Sequence, residues 1–410
     1  MSYVEIMKCR ICGDQRLDTI LSLGELFLTG IFPKIDSCIN VTHGPLTLVK
    51  CFNCGLVQLK HSYELTDLYG ANYGYRSGLN KLMVEHLRQK AQKLQEIVKL
   101  TPGDCVVDIG SNDGTLLSFY PDSVRIFGFD PSAQKFLNFY RKDIQVITDF
   151  FSASAFKRMQ RRPKAKIITS IAMFYDLEQP VDFAKQVASI LDENGVWHFE
   201  QSYLPSMIEA NAYDTICHEH LEYYAFKQIK WIIDSAGLKT IDIEMNNVNG
   251  GSFSITAAKK AAVYPEQTDK ISLILEKETS MGHDEFKSFE NNIFVHKAEF
   301  VRLLRHLKQD GKKVFGYGAS TKGNVILQFC GIDKTLLPCI AEVNPDKFGC
   351  VTPGTNIPII CEEEARKNKP DYFVVLPWHF RKNIIEREQE FLRKGGQLIF
   401  PLPQIEIVKK

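Results

Sequence analysis

One local design constrains this chain more than any other: an apolar strand that runs into a glycine turn and then a helix, and it occurs twice. The first copy is Asp104-Cys105-Val106-Val107-Asp108-Ile109-Gly110-Ser111-Asn112-Asp113-Gly114. The second is Gly311-Lys312-Lys313-Val314-Phe315-Gly316-Tyr317-Gly318-Ala319-Ser320-Thr321-Lys322-Gly323-Asn324. Further strand candidates follow each copy: Arg125–Asp130, Lys166–Ile171 and Gly195–Glu200 after the first, Cys339–Val343 and Tyr372–Leu376 after the second. Strands alternating with helices build parallel sheets covered on both faces, so two α/β units are expected. Before the first unit, Leu79, Leu82, Met83, Leu87, Leu94 and Ile97 recur near helical spacing, and Thr101-Pro102-Gly103 ends that helix. A polar helical stretch spans roughly 266–310. A chain of 410 residues has room for two or three domains.

A second doubled pattern stands near the N-terminus, Cys9-x-x-Cys12 and Cys51-x-x-Cys54. Two such pairs close a tetrahedral four-cysteine zinc site, and four protein ligands leave no position for water, so the metal is structural. Lys8, Arg10 and Lys50 flank the ligands and favour thiolates. The N-terminus lacks the apolar stretch of a signal peptide, and no apolar run approaches a membrane span. A cytoplasmic location is therefore expected, with the 11 cysteines reduced rather than paired. A net charge of +1 gives no bulk attraction to nucleic acid or anionic membrane.

The first glycine turn says which ligand it suits. Asp108, Gly110, Asn112 and Gly114 place a carboxylate beside the turn. It would repel a dinucleotide's diphosphate but favour S-adenosylmethionine, whose ammonium and sulfonium are cationic. Asp130, ending the second strand, is the expected acceptor for the ribose hydroxyls. Asp149 and Phe150 are candidates for the adenine.

The densest polar cluster is Tyr213-Asp214-Thr215-Ile216-Cys217-His218-Glu219-His220-Leu221-Glu222-Tyr223-Tyr224. His218 and His220 would share a face on a strand, which leaves metal binding open, although the spacing is not that of a helical zinc protease. The alternative preferred here is acid–base chemistry by a histidine beside a carboxylate.

These segments together, with Asn249-Gly250-Gly251-Ser252, Gly316-Tyr317-Gly318-Ala319 and Pro353-Gly354-Thr355, resemble the sugar C-methyltransferase family over nearly the whole chain. The resemblance implies a zinc-binding domain (1–70), a Rossmann-like S-adenosylmethionine-binding domain (71–201), a catalytic and connecting region (202–300) and a second Rossmann-like domain (301–410) that helps hold a nucleotide sugar. It implies His220 as general base, with Glu219 beside it. Tyr73 and Tyr75 would lid the donor, while Tyr75, His218 and Tyr223 are candidate donors to a developing oxyanion. Substrate contacts are expected from Tyr223, Asn249, Gly250, Gly318, Ala319, Lys322 and Asn324. Two positions depart from the resemblance: Cys217 stands where members often carry tyrosine, and Asp176 where several carry histidine. The implied reaction methylates C-3 of a dTDP- or GDP-linked 4-keto-6-deoxy sugar, in a monomer or weak oligomer. The rivals are O- or N-methylation of a nucleotide sugar and an oxidoreductase using Gly316–Gly323 for NAD, with Glu342 at a ribose.

Overall fold

The computed structural model describes residues 3–36, 41–69, 75–159, 164–279 and 282–410. Tyr73 lies outside them.

The N-terminal unit is an antiparallel sheet of Leu17–Phe27, His43–Cys51 and Val57–Leu59. Leu21 and Leu23 alternate inward, as a strand with one buried face requires. Gly24, at φ +82°, lies within a register shift between Ser22 and Glu25, and the inward set resumes at Leu26. A fourth strand arrives from far along the chain: Glu222–Tyr223 pairs with Val57 and Gln58, directly after the histidine cluster.

Seven strands form the central sheet. They are β1 Cys105–Ile109, β2 Arg125–Phe129, β3 Gln145–Ile147, β4 Ala165–Ile171, β5 Leu191–Ser202, β6 Leu238–Asn246 and β7 Ser252–Lys259. Their order is β3-β2-β1-β4-β5-β7-β6, with β7 alone antiparallel to its neighbours. The sheet thus runs on past residue 201, because the hairpin β6–β7 folds back onto β5. Helix Lys81–Ile97, capped by Asn80 accepting from the Leu82 N–H, buries Met83, Leu87, Ala91 and Leu94 against the sheet side that holds Val106 and Ile126. The helix expected after Gly114 is shortened to a single 3-10 turn, Leu117–Phe119. Pro121 disfavours helical backbone at Tyr120 and leaves no room for more turns.

The C-terminal sheet comprises β8 Val314–Tyr317, β9 Ile340–Glu342, β10 Ile359–Cys361, β11 Tyr372–Val375, β12 Gln397–Phe400 and β13 Glu406–Val408. Its order is β10-β9-β8-β11-β12-β13, parallel except for β13. Its core continues without a break into Leu21, Leu23, Leu26, Leu46 and Leu48 of the N-terminal sheet. The cysteine knuckles pack the other way, with Cys9, Ile11, Cys51 and Leu56 in one cluster with Phe174, Tyr224 and Phe226 of the central unit. The small N-terminal unit therefore cements both α/β units.

Candidate active site

Cys9, Cys12, Cys51 and Cys54 place their sulfurs within 4.8 Å of one another, with Cys9–Cys54 and Cys12–Cys51 at 3.5 Å. A zinc with bonds of about 2.3 Å needs sulfurs about 3.8 Å apart, so the four fit it. The two halves are built alike. Gly13 and Gly55 follow their pairs at φ +75° and +74°, and each donates its N–H to the first cysteine's carbonyl at 3.0 Å. Glycine is needed there because the turn is left-handed. This C-x-x-C-G repetition was readable in the sequence and strengthens the assignment. Among the described residues, the cysteines are the one group of His, Cys, Asp or Glu side chains placed to share a metal, so His218 and His220 are not such a site.

A cavity of about 250 Å³ opens at the carboxyl ends of β1 and β4, where the strand order reverses. Crevices at such switch points are where doubly wound sheets bind ligands. Asp108, Gly110, Asn112, Asp130, Phe150 and Tyr75 all line it; Gly114 and Asp149 do not. Gly114 serves packing instead: a Cβ there would stand 2.6 Å from the Tyr140 ring. The exposed Asp149 turns its carboxylate to the Phe150 N–H at 2.7 Å. Asn112 and Ala172 line the cavity at φ +51° and +53°, conformations that cost about 1–3 kcal/mol each in non-glycine residues and gather at functional sites. Asp130 pins the turn by accepting from the Asn112 N–H at 2.8 Å and from Ser132. Asp108 accepts from Thr169 at 2.5 Å. Burial pushes its carboxyl up to about 7, the Thr169 hydrogen bond opposes that, and the Asp130 charge adds to it. Glu200, which the sequence reading missed, also lines the cavity, held by His86 at 2.6 Å, Lys90 at 3.0 Å and Asn246 at 2.9 Å. Its signal was its place at the end of a strand pointing at the same crevice. Acidic residues, Asp108, Asp130 and Glu200 among them, and a set of apolar walls suit a cationic methyl donor with an aromatic base.

The histidine cluster sits where the three units meet. His220 Nδ1 is 2.8 Å from the Thr215 carbonyl oxygen, and its ring is 4.2 Å from that of Tyr175. A carbonyl only accepts, so Nδ1 carries the proton and Nε2 keeps its lone pair. Burial first, then the Lys322 charge, pull the imidazole down to about 3, so it is neutral at physiological pH. Glu219 turns toward the N-terminal unit: its Oε1 lies 2.5 Å from where a Cβ at Gly30 would stand. Burial raises its carboxyl. His218 faces away from this centre, with Nε2 3.4 Å from the Gly44 carbonyl and an edge contact to Tyr63. Tyr223 is buried in the added strand.

The C-terminal unit closes the cluster. Helix Thr321–Cys330 packs on the turn Tyr213–Thr215 that holds His220, bringing Lys322 to Asp214, His220 and His379. Trp378 Nε1 donates to the buried Asp214 carboxylate at 2.7 Å. The Trp378 ring also stands 3.2 Å from a Cβ built on Gly250, whose φ is +91°. Asn249 lies in the same turn, Val248–Gly250. Asn324 Nδ2 donates to the Thr29 carbonyl at 2.8 Å, a tie between units, while its Oδ1 is buried with no hydrogen-bond partner. The glycine turn here is engaged by its own chain. Glu342 accepts from the Ala319 N–H at 2.8 Å and from Val343 and Asn344, and Pro377 lies 2.8 Å from a Cβ on Gly318. That geometry argues against the NAD reading.

Fold and site together define an S-adenosylmethionine-dependent methyltransferase that carries a structural zinc. The chain matches a zinc binding domain family over residues 9–69, a methyltransferase domain over 83–243 and a C-methyltransferase C-terminal domain over 247–403. It is 30% identical over 409 residues to the C-methyltransferase NovU of Streptomyces niveus, covering 98% of this chain and 97% of that protein. The chain belongs to this C-methyltransferase family. Among solved structures it is similar to the complex of the Haloferax volcanii Trm112 methyltransferase activator with a methyltransferase. That match has 15% identity and a TM-score of 0.36, covering 44% of this chain and 93% of that one. It is also similar to the cyclopropane synthase MmaA2 of Mycobacterium tuberculosis, at 13% identity and a TM-score of 0.33, covering 42% and 83%.

Proposed function

We propose that this enzyme methylates C-3 of a nucleotide-linked 4-keto-6-deoxy sugar, dTDP- or GDP-linked, in branched-chain deoxysugar synthesis in the cytoplasm. A sugar carbon becomes nucleophilic once a proton beside a ketone is removed. The observation that carries the reading is His220, whose Nδ1 is fixed on the Thr215 carbonyl while Nε2 keeps its lone pair free to take a proton. The bound S-adenosylmethionine supplies an electrophilic methyl group. Asp130 holds its ribose, Asp108 and Glu200 face its positive charges, and Phe150 covers its base. The sugar enters between the central and C-terminal units, with Lys322 and the Asn249-Gly250 turn at the nucleotide side. Tyr75 closes the donor cavity, and Glu219 sets the wall beside the base.

The test is a panel of dTDP- and GDP-linked 4-keto-6-deoxy sugars incubated with methyl donor. A product heavier by one methyl on carbon, located by NMR at C-3, is expected. A methyl found on oxygen or nitrogen, or no product from any keto sugar, overturns the reading. In deuterated water with a non-transferring donor analogue, the enzyme should wash deuterium into C-3.

A further inference from the structure

Asp176 ends the 3-10 turn Phe174–Asp176, just beyond β4. It lines the donor cavity. The same turn forms a wall of the histidine cluster: the Leu221 N–H donates to the Tyr175 carbonyl at 2.8 Å, and Tyr175 lies against His220. Asp176 therefore stands where the donor cavity and the base adjoin. The cavity's other inward carboxylates have partners: Asp108 has Thr169, Asp130 has Asn112 and Ser132, and Glu200 has His86, Lys90 and Asn246. Asp176 Oδ1 is buried with no hydrogen-bond partner. A polar atom left that way is costly, and the cost is removed if a ligand completes it.

We propose that Asp176, as the carboxylic acid, is a catalytic residue that donates a hydrogen bond to the enolate oxygen formed when His220 takes the substrate proton. This rests on the enolate reading above. In that step the C–H bond beside the ketone breaks and its proton goes to His220 Nε2. The bonding pair becomes the new C=C π pair, and the carbonyl π pair moves onto oxygen. Asp176 keeps its proton and shares it with that oxygen.

The surroundings keep the acid neutral. Burial pushes the Asp176 carboxyl well above the usual carboxylate range, the Tyr69 hydrogen bond opposes this, and the Glu219 charge adds to it. Cys217, Glu222 and Tyr223 also face it, and none brings a positive charge. The nearby cation, Arg10, is engaged by Glu178 and lies 3.8 Å from Glu222. An ionised Asp176 would repel the enolate; a neutral one stabilises it as an oxyanion-hole donor does.

The experiment compares Asp176→Ala and Asp176→Asn with wild type on a turned-over keto sugar. Asp176→Ala should lose transfer by about 100-fold or more, with donor affinity by calorimetry little changed. Asp176→Asn retains a neutral donor and should lose about tenfold or less. Wild-type kcat should fall as pH rises and the acid ionises, and Asp176→Asn should lack that alkaline limb. If Asp176→Ala does not fold, the pH profile of Asp176→Asn decides alone. Near-normal transfer in Asp176→Ala, an alkaline limb unmoved in Asp176→Asn, or loss of both transfer and deuterium exchange in Asp176→Asn would overturn the proposal. No turnover by wild type on any keto sugar would overturn the substrate reading and this proposal with it, whereas normal turnover in the alanine variant would overturn this proposal alone.

Discussion

The two glycine turns share a construction and differ in what stands in front of them. In each, the next strand ends in a carboxylate that accepts from the turn's own backbone, Asp130 from Asn112 and Glu342 from Ala319, both at 2.8 Å. Before the first turn lies a cavity. Before the second lie Pro377 and the Lys347 ammonium, which donates to the Ala319 carbonyl at 2.7 Å. The carboxylate at the end of the second strand is thus a folding device in both units. A ligand site arises only where the rest of the chain leaves space.

The broadest way to break this contrast is to remove the metal, since the knuckles cement both units. Metal analysis should find about one zinc per chain, and Cys51→Ser or strong chelation should abolish cooperative unfolding of the native protein, because a closed structural site contributes folding energy outright. Retained structure without zinc would leave the two units independent. Next in size, His220→Asn should cut methyl transfer by about 100-fold or more while donor and sugar still bind. With the imidazole held down to about 3, it stays neutral as pH falls from 8 to 5.5, so no loss of kcat/KM with the midpoint of an ordinary histidine is expected there. A midpoint near 6.5 that disappears in the variant would refute the assigned state.

The contrast itself is sharpened by a matched pair. Asp130→Ala should weaken donor binding by about tenfold or more, while Glu342→Ala should leave it unchanged and lower stability by about 1–3 kcal/mol, read by denaturant unfolding. Equal effects on donor affinity would erase the distinction. The smallest expected signal comes from Asp108. With its carboxyl near 7, it is about half protonated at neutral pH, and a cationic donor favours the ionised form. Binding at pH 7 should release a fraction of a proton, measured by calorimetry in buffers of different ionisation enthalpy. Affinity should therefore rise modestly with pH, and Asp108→Asn should remove both effects.

Much of this was legible because the signals are local. The cysteine pairs and the acid-and-glycine turn of β1 are short motifs whose chemistry follows from spacing. What escaped is set at a distance. Nothing near His218 announces that its ring turns to Gly44 while His220, two residues on, turns to Thr215. Strand Glu222–Tyr223 joins a sheet formed some 165 residues earlier, a pairing no periodicity encodes. Likewise Gly114 reads as a ligand-facing glycine until Tyr140 is seen filling its side. Asn324 reads as a substrate contact, and nothing near it announces that its amide nitrogen is tied to Thr29.

The Trp378–Asp214 hydrogen bond has a consequence for engineering. Trp378 is supplied by the C-terminal unit, whereas Asp214 belongs to the turn whose Thr215 carbonyl fixes the His220 ring. A chimera that takes its C-terminal unit from a relative to change substrate preference would replace one half of this pair and keep the other. Without a matching indole, the buried Asp214 would lose its donor and the turn its anchor, so the graft would also disturb the setting of His220. Recombination boundaries in this enzyme should therefore keep Trp378 and Asp214 in the same parent.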